Sequence, residues 1–359
     1  MSKFLLRRLI LMLPVLFGIV LITFVIARSI PGEPCTAMYG EKATPAVCEA
    51  LTIRLGLDKT IPEQFVVYIT NALRGDLGES VQRGRPVTDI LAERLPTTIE
   101  LAGIALLFAI MFGVPLGIVA AYYRNSPIDV MTMIVANMGV SMPVFWLALM
   151  LKVLFSVTLK DTFLYLPPSG SLPAGYQTNI IPFYVSWGLA TKETASPFLI
   201  FISRFNILNG FLTLNFDLVF QAGRYLILPA IAVGTIPLAI IARMTRSSLV
   251  DALNQDYIRT ARAKGLKERV IVTRHGLRNA MLPVITIIGL NFGYLVSGAV
   301  LTETIFGLTG VGRTLFEAIT ARDYQVIQAV TLVVAFSFVF INLIVDLLYG
   351  FLDPRIRLS

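Results

Sequence analysis

The sequence predicts an all-α, polytopic membrane protein with six transmembrane helices, both termini cytoplasmic, and two large extracytoplasmic loops. Three observations carry that prediction. The 359-residue chain is 56% hydrophobic and only 14% charged, with a mean hydropathy of +0.76, whereas a soluble domain carries about 25% charged residues. Its apolar residues gather in runs long enough to cross a bilayer. Its basic residues, which give a net charge of +8, cluster at the ends of those runs, where they set topology. That clustering argues against nucleic acid as a partner despite the charge.

The elements follow in order. Lys3, Arg7 and Arg8 precede an apolar run from Leu9 to Ala27. The run exceeds the core of a cleavable signal, about 7–15 residues, and ends at Arg28, Pro31 and Gly32. Residues 1–30 are therefore an N-terminal tail and an uncleaved first span, with the N-terminus inside. Residues 31–95 form an extracytoplasmic subdomain, because acids such as Glu49, Asp58, Asp76, Glu79 and Asp89 outnumber the bases there. Residues 96–359 form the transmembrane core. Thr98 to Tyr122 is the second span, and Asp129 to Val157 contains the third, interrupted by Pro143. Residues 158–222 lie outside, with turns at Pro167-Pro168 and Pro173. Within them Phe198 to Leu214 is apolar but broken by Arg204, Asn206 and Asn209. It is expected to pack on the loop or at the interface, since a crossing there would invert everything after it. Tyr225 to Ala242 is the fourth span, Leu282 to Leu301 the fifth and Val326 to Leu348 the sixth. Thr302 to Asp323 lies outside, and Arg355 and Arg357 close the chain inside.

Between spans four and five runs a cytoplasmic loop, 248–281. From Asp256 to Arg278 it carries a net charge of about +5, which fixes it on the inner side. Asp256 is expected to cap a helix and Gly265 to end it in a left-handed conformation. The roughly two turns between them are too short to be stable alone. Arg262 and Lys264 fall in the last turn, where cations suit the helix dipole. Tyr257, Ile258 and Ala261 share one side, an apolar face suited to a partner's groove.

Several chemistries are excluded. Cys35 and Cys48 are the only cysteines and His275 the only histidine, which removes four-cysteine metal sites and argues against catalytic zinc. No G-x-x-x-x-G-K-[ST] loop is present, so the chain is not its own ATPase by that chemistry. A membrane enzyme would need a cluster of His, Cys or acids. A channel would need a symmetric pore. A secondary transporter would need ionisable groups near the midplane of repeated helices; the spans hold few, and no repeat is visible. Cys35 and Cys48 fall in the outer loop, where an even pair suggests a disulfide; two free thiols are the alternative. Lys152 is an ionisable residue inside span three, by default functional, with snorkelling to the outer interface as the plainer reading. Gly113-x-x-x-Gly117 and Gly289-x-x-x-Gly293 allow close helix approach. Together with Asn291, Ser297 and Gly298 the second pair makes span five the candidate lining of a translocation path.

The stretch Asp256 to Pro283, D-Y-I-R-T-A-R-A-K-G-L followed by R-H-x-L-R-N-A-x-L-P, resembles the cytoplasmic loop of ATP-binding cassette permeases, in the branch that imports dipeptides, oligopeptides and nickel. Arg259, Thr260 and Ala261 stand where the wider family carries Glu-Ala-Ala. Leu55-Gly56-Leu57-Asp58, Gly75-Asp76-Leu77-Gly78 and Thr302-Glu303-Thr304-Ile305-Phe306 resemble further motifs of the branch, while Leu308-Thr309 departs from its usual Trp-Pro-like pair. The likeness covers nearly the whole chain. It implies the first of two permease subunits of an importer in a prokaryotic inner (plasma) membrane. Its cargo would be dipeptides or oligopeptides, with nickel chelate, glutathione or sugar as alternatives. The implied partners are a second homologous permease, two cytoplasmic ATPases and an extracytoplasmic binding protein. ATP and Mg would be held by the ATPases, with no cofactor and no catalysis in this chain. Asp256, Tyr257, Arg259, Thr260, Ala261, Arg262, Lys264 and Gly265 would then couple to an ATPase. Arg274, His275, Arg278, Asn279 and Pro283 would pack that helix against span five. Glu303, at the outer mouth, would contact substrate, dock the binding protein, or hold the outer loop through Arg313.

Overall fold

The computed structural model describes residues 2–29, 35, 43–54, 56–297 and 299–352. Gly298 and the closing Arg355 and Arg357 lie outside the described residues. Those described form helices and turns, with one isolated β-bridge between Glu79 and Pro86.

Helix α1 (Ser2–Ser29) contributes the apolar stretch Ile10–Ile26. The segment expected outside the membrane follows with α2 (Pro45–Arg54) and α3 (Ile61–Leu73). Phe65 of α3 lies edge-on to Phe17 and Phe24 of α1, so the subdomain leans on the first helix. Cys35 and Cys48 are joined in a disulfide with Cα atoms 5.3 Å apart.

Helix α4 (Val87–Tyr122) is continuous for 36 residues. It crosses the 95/96 boundary at which the sequence suggests a domain change. Asp89, Glu93 and Arg94 make its first turns read as loop, yet Val87, Ile90 and Leu91 are buried beneath them. The third apolar run is not one straight span. Helix α5 (Pro127–Ser141) and helix α6 (Val144–Val153), the latter continued by a π-turn Leu154–Thr158, form a pair bent by 97°. Pro143 has no N–H to continue the ladder. It also forces Met142 out of helical space, to φ −108° and ψ 139°.

The segment before the next long helix holds α7 (Phe183–Ser186), α8 (Pro197–Ser203) and α9 (Asn206–Leu212). The apolar run 198–214 is thus two short helices, and neither is long enough to span. The break falls at Arg204 and Phe205, and within α9 the fully buried Asn209 accepts from the Phe183 amide and donates to the Ile181 carbonyl. Helix α10 (Phe216–Leu253) starts earlier and ends later than the fourth apolar run. After it come α11 (Asp256–Ala263), α12 (Glu268–Val270) with a π-turn Ile271–Gly276, and α13 (Leu277–Val296). The fifth span therefore ends at Val296, and Leu301 belongs to a separate α14 (Val300–Ile305). Helix α15 (Val311–Ala321) and helix α16 (Tyr324–Leu352) complete the fold.

By length and composition, Val87–Tyr122, Phe216–Leu253, Glu268–Val296 and Tyr324–Leu347 can each cross a membrane, and the bent α5–α6 pair makes a fifth candidate. The centre of the bundle is α4 against α10. A Cβ at Gly117 would lie 2.6 Å from the Ala242 carbonyl, and one at Gly234 would lie 2.8 Å from the Ala105 carbonyl. The small residues thus let the two backbones touch, replacing a hydrophobic driving force with close contact. Toward one end, Asp129 of α5 is 4% exposed. It accepts both Nε and Nη2 of Arg246 on α10 at 2.6 Å, and the Asn125 amide at 3.0 Å.

Candidate functional site

Helix α11 begins without a side-chain cap. Gln255 precedes it in extended conformation, and Asp256 is the first helical residue rather than the cap. The Asp256 carboxylate instead meets Arg259 at 3.3 Å, with both side chains largely exposed, where such a pair is worth little. The other end matches the sequence reading. Gly265 has φ +76°, and its N–H reaches the Arg262 carbonyl at 2.9 Å. A Cβ at Gly265 would meet nothing within 4 Å, so a side chain there strains the backbone without a clash.

The two faces of α11 are the reverse of the expectation. Ile258 is 0% and Ala261 8% exposed, packed with Ile271 and Leu253 of this same chain. The apolar face is spent on the protein's own core. Turned outward are Tyr257, Arg259, Thr260, Arg262, Lys264 and the exposed Leu266 and Val270. Arg262 is held by a two-pronged bond to Glu268, at 3.2 and 2.6 Å, and that carboxylate holds its guanidinium above its ordinary pKa. Leu266 and Val270 were missed because they lie beyond the helix, in a stretch without periodicity.

The expected packing residues also divide. Arg274, Arg278, Asn279 and Pro283 are exposed, and His275 is half-buried. The packing is done by Ile271, Val272, Gly276 and Ala280, which are buried. Val272 and Ala280 join Ala121, Leu249 and Ala252 in one cluster. A Cβ at Gly276 would lie 3.0 Å from both Leu249 and Leu253. Helix α11 thus rests on Leu253 of α10 and Ile271 of the π-turn, and the π-turn, through Val272, packs with the ends of α4, α10 and α13.

The proposed path residues of span five turn inward too. Gly289 abuts Val345, and Gly293 lies against Phe338 and Asn342, all three on α16. Asn291 is 7% exposed and donates to its own Ile287 carbonyl at 2.8 Å. Ser297, just past the helix end, donates to Tyr294. Leu290 and Tyr294 are the exposed side chains nearest them. A recess of about 540 Å³ lies between α5 and α10, lined among others by Asn137, Ser141, Met142 and Arg246. Arg243 donates to Asn137 there at 3.1 Å.

Glu303 is not at an open mouth. It is 0% exposed and accepts from the Thr98 hydroxyl at 2.7 Å and the Arg313 amide at 2.9 Å. The tie runs through the backbone of Arg313, whose guanidinium pairs with Glu317 at 2.8 Å. Burial pushes the Glu303 carboxyl above the usual range, and the donors from Arg313, Thr98 and Gly312 oppose it. Lys152 reaches out of its own helix: its Nζ donates to the Ile305 carbonyl at the end of α14, at 2.8 Å. Glu100, which no motif marks, accepts from the Ile207 amide at 2.7 Å, and the Asn206 and Leu208 amides also bond to it. A carboxylate on α4 thus fills the N-terminus of α9.

Long apolar helices packed through small residues, with a cationic hairpin keyed to three of them at one end, define a multi-pass membrane protein of the transporter class. Residues 113–358 match the family described as "Binding-protein-dependent transport system inner membrane component", and residues 1–102 match the N-terminal region of the same kind of membrane component. The chain belongs to this family. It is 44% identical over 358 residues to a dipeptide transport system permease protein DppB of Alkalihalophilus pseudofirmus, covering 99% of this chain and 100% of that one. It is 43% identical to a di/tripeptide transport system permease protein DppB of Pseudomonas aeruginosa, covering 99% of each chain. To a glutathione transport system permease protein GsiC of Escherichia coli the identity is 36%, again over 99% of each.

Proposed function

We propose that this chain is the permease subunit of an ATP-driven, binding-protein-dependent importer of dipeptides, with oligopeptides as the nearest alternative. The observation that carries this is end-to-end identity above 40% to dipeptide permeases, against the lower identity to a glutathione permease. The chain would cross a prokaryotic inner membrane six times, with α1 and the bent α5–α6 pair added to the four long helices and both termini inside. A second permease would complete the path, two ATPases would bind ATP and Mg below, and a binding protein would deliver peptide above.

The geometry supports one route of coupling. Helix α11 and the turn after it offer Tyr257, Arg259, Arg262, Lys264, Leu266 and Val270 to a partner, while Ile258 and Ala261 lock the helix to Leu253 of α10 and to Ile271 of the π-turn that packs with α4, α10 and α13. A push on the outward face then moves the ends of three helices as one body, which is what two-state coupling between separate subunits requires. The recess by Asn137 and Ser141, rather than the Gly289 face, would line the path. The test is uptake of labelled dialanine into proteoliposomes holding the complete transporter. Uptake should need ATP and the binding protein and should stop with vanadate. Uptake without the ATPases would favour a secondary transporter and sink the proposal; uptake of nickel chelate or glutathione alone would change the cargo.

A further inference from the structure

The recess between α5 and α10, about 540 Å³, has the size of a small-molecule site. At its edge stands a charge that no neighbour neutralises. Asp129 is taken up by Arg246, whose Nε and Nη2 both reach it at 2.6 Å. Arg243 lies three residues earlier on the same helix and is exposed. Its Nη1 donates to the Asn137 side-chain oxygen at 3.1 Å, and among the described residues it pairs with no carboxylate. A guanidinium carries five N–H donors. One bond to a neutral amide leaves most of them, and the whole charge, for something else.

The guanidinium is held in position. Asn137 spends its Nδ2 on the Met133 carbonyl at 2.7 Å, which leaves its oxygen for Arg243. Helix α10 is long and apolar enough to cross a membrane, and it runs on past Arg243 to Leu253. A cation on such a helix is costly against hydrocarbon, and by default it marks the route of a polar substrate. The remaining wall is pliable. Met133, Met138 and Met142 line the recess, and methionine adapts to many shapes, which suits surfaces that accept varied partners. Short peptides share their charged ends and differ in their side chains. A fixed guanidinium beside flexible thioethers matches that division, since arginine forks suit a carboxylate.

We propose that Arg243, oriented by Asn137, holds the free carboxylate of a peptide passing through the recess and so helps to decide which cargo crosses. The proposal rests on the reading above for its peptide and its path, but the surplus cation is read from the recess alone. Ser141 is the place for a probe. It lines the recess, is exposed, and donates to the Asn137 carbonyl at 3.1 Å. Cys35 and Cys48 are the only cysteines and are joined, so Ser141→Cys supplies the one free thiol of this chain. In the complete transporter in lipid nanodiscs, that thiol should react faster with an anionic than with a cationic methanethiosulfonate. The ratio, normalised to a free thiol in solution, should be about fivefold, the effect of one unit charge across water at side-chain range. Adding Arg243→Gln should bring the ratio near one, whereas Arg243→Lys should keep most of it. Dialanine should slow the labelling more than dialanine amide does. That comparison needs no change at Arg243, so a variant that fails to fold does not shelter the proposal. A ratio that survives Arg243→Gln, or equal protection by peptide and amide, would overturn the role of Arg243 alone. A thiol that neither reagent reaches, at rest, with ATP or trapped with vanadate, would overturn the recess as the path as well. ATP-driven uptake of dialanine by the full system is measured in parallel, and its absence would remove the peptide reading.

Discussion

Ile258→Ala is the perturbation that separates the two faces of α11. Ile258 is 0% exposed and sits on Ile271 and Leu253. Trimming a buried isoleucine to alanine costs about 2–5 kcal/mol. Helix α11 has only eight residues and cannot hold itself together in water, so this contact is what orders it. A loss of about 3 kcal/mol raises the open fraction on the order of 100-fold. Hydrogen exchange of the amides from 258 to 265 should accelerate by that factor, and transport per ATP hydrolysed should fall. Tyr257→Ala, in contrast, trims a ring that is 40% exposed. It should leave exchange in the isolated chain unchanged and weaken retention of the ATPase. The reasoning fails if Ile258→Ala leaves both exchange and coupling intact, or if Tyr257→Ala accelerates exchange.

Glu303→Ala leaves the Thr98 O–H and the Arg313 amide without an acceptor in a buried place, although the Thr98 oxygen keeps its bond from the Val311 amide; at about 1–3 kcal/mol for each lost acceptor, thermal unfolding in detergent should move down by several degrees. Gly289→Leu drives a side chain into Val345 and should lower the yield of inserted protein, while Leu290→Ser, at an exposed position, should not. Glu100→Leu strips the N-terminus of α9 of its acceptor, and trypsin should then cut at Arg204 faster than in the parent. Lys152→Met removes a bond to the Ile305 carbonyl and should cost about 1.5–3 kcal/mol, read as a lower unfolding midpoint with the transport mechanism intact.

What the sequence made legible was local. Apolar runs marked the long helices, Gly265 marked the left-handed stop, and the polar breaks at Arg204, Asn206 and Asn209 ruled against a span. The period of an eight-residue helix shows which residues share a side: Ile258 and Ala261 do, while Tyr257, grouped with them, turns outward. It does not show whether that side meets a partner or the chain itself, because the decision lies with Ile271, in another segment. The same limit governs the glycine pairs: small-x-x-x-small announces a close neighbour, and Val345 and Phe338 rather than a path proved to be that neighbour. Pro143 announced a break, but the 97° bend depends on where α6 docks, with Lys152 tied to Ile305 far along the chain. Glu100 carried no motif at all, and the motif around Glu303 did not show that its carboxylate is buried. Each acts on backbone amides more distant in sequence than any local pattern reaches.

The bond between Asp129 and Arg246 spans 117 positions. A ribosome adding about 5–20 residues per second delivers the arginine roughly 6–23 s after the aspartate. For that interval the carboxylate is without its cation. The start of α5 provides for the delay. The Asn125 amide already reaches Asp129 at 3.0 Å, and the Ser126 hydroxyl accepts from the Asp129 amide at 3.4 Å. One backbone amide on the carboxylate and a capped helix start thus lie within a single turn, both of them made before α10. Removing that turn, by changing Asn125 and Ser126, would affect the nascent protein more than the finished one.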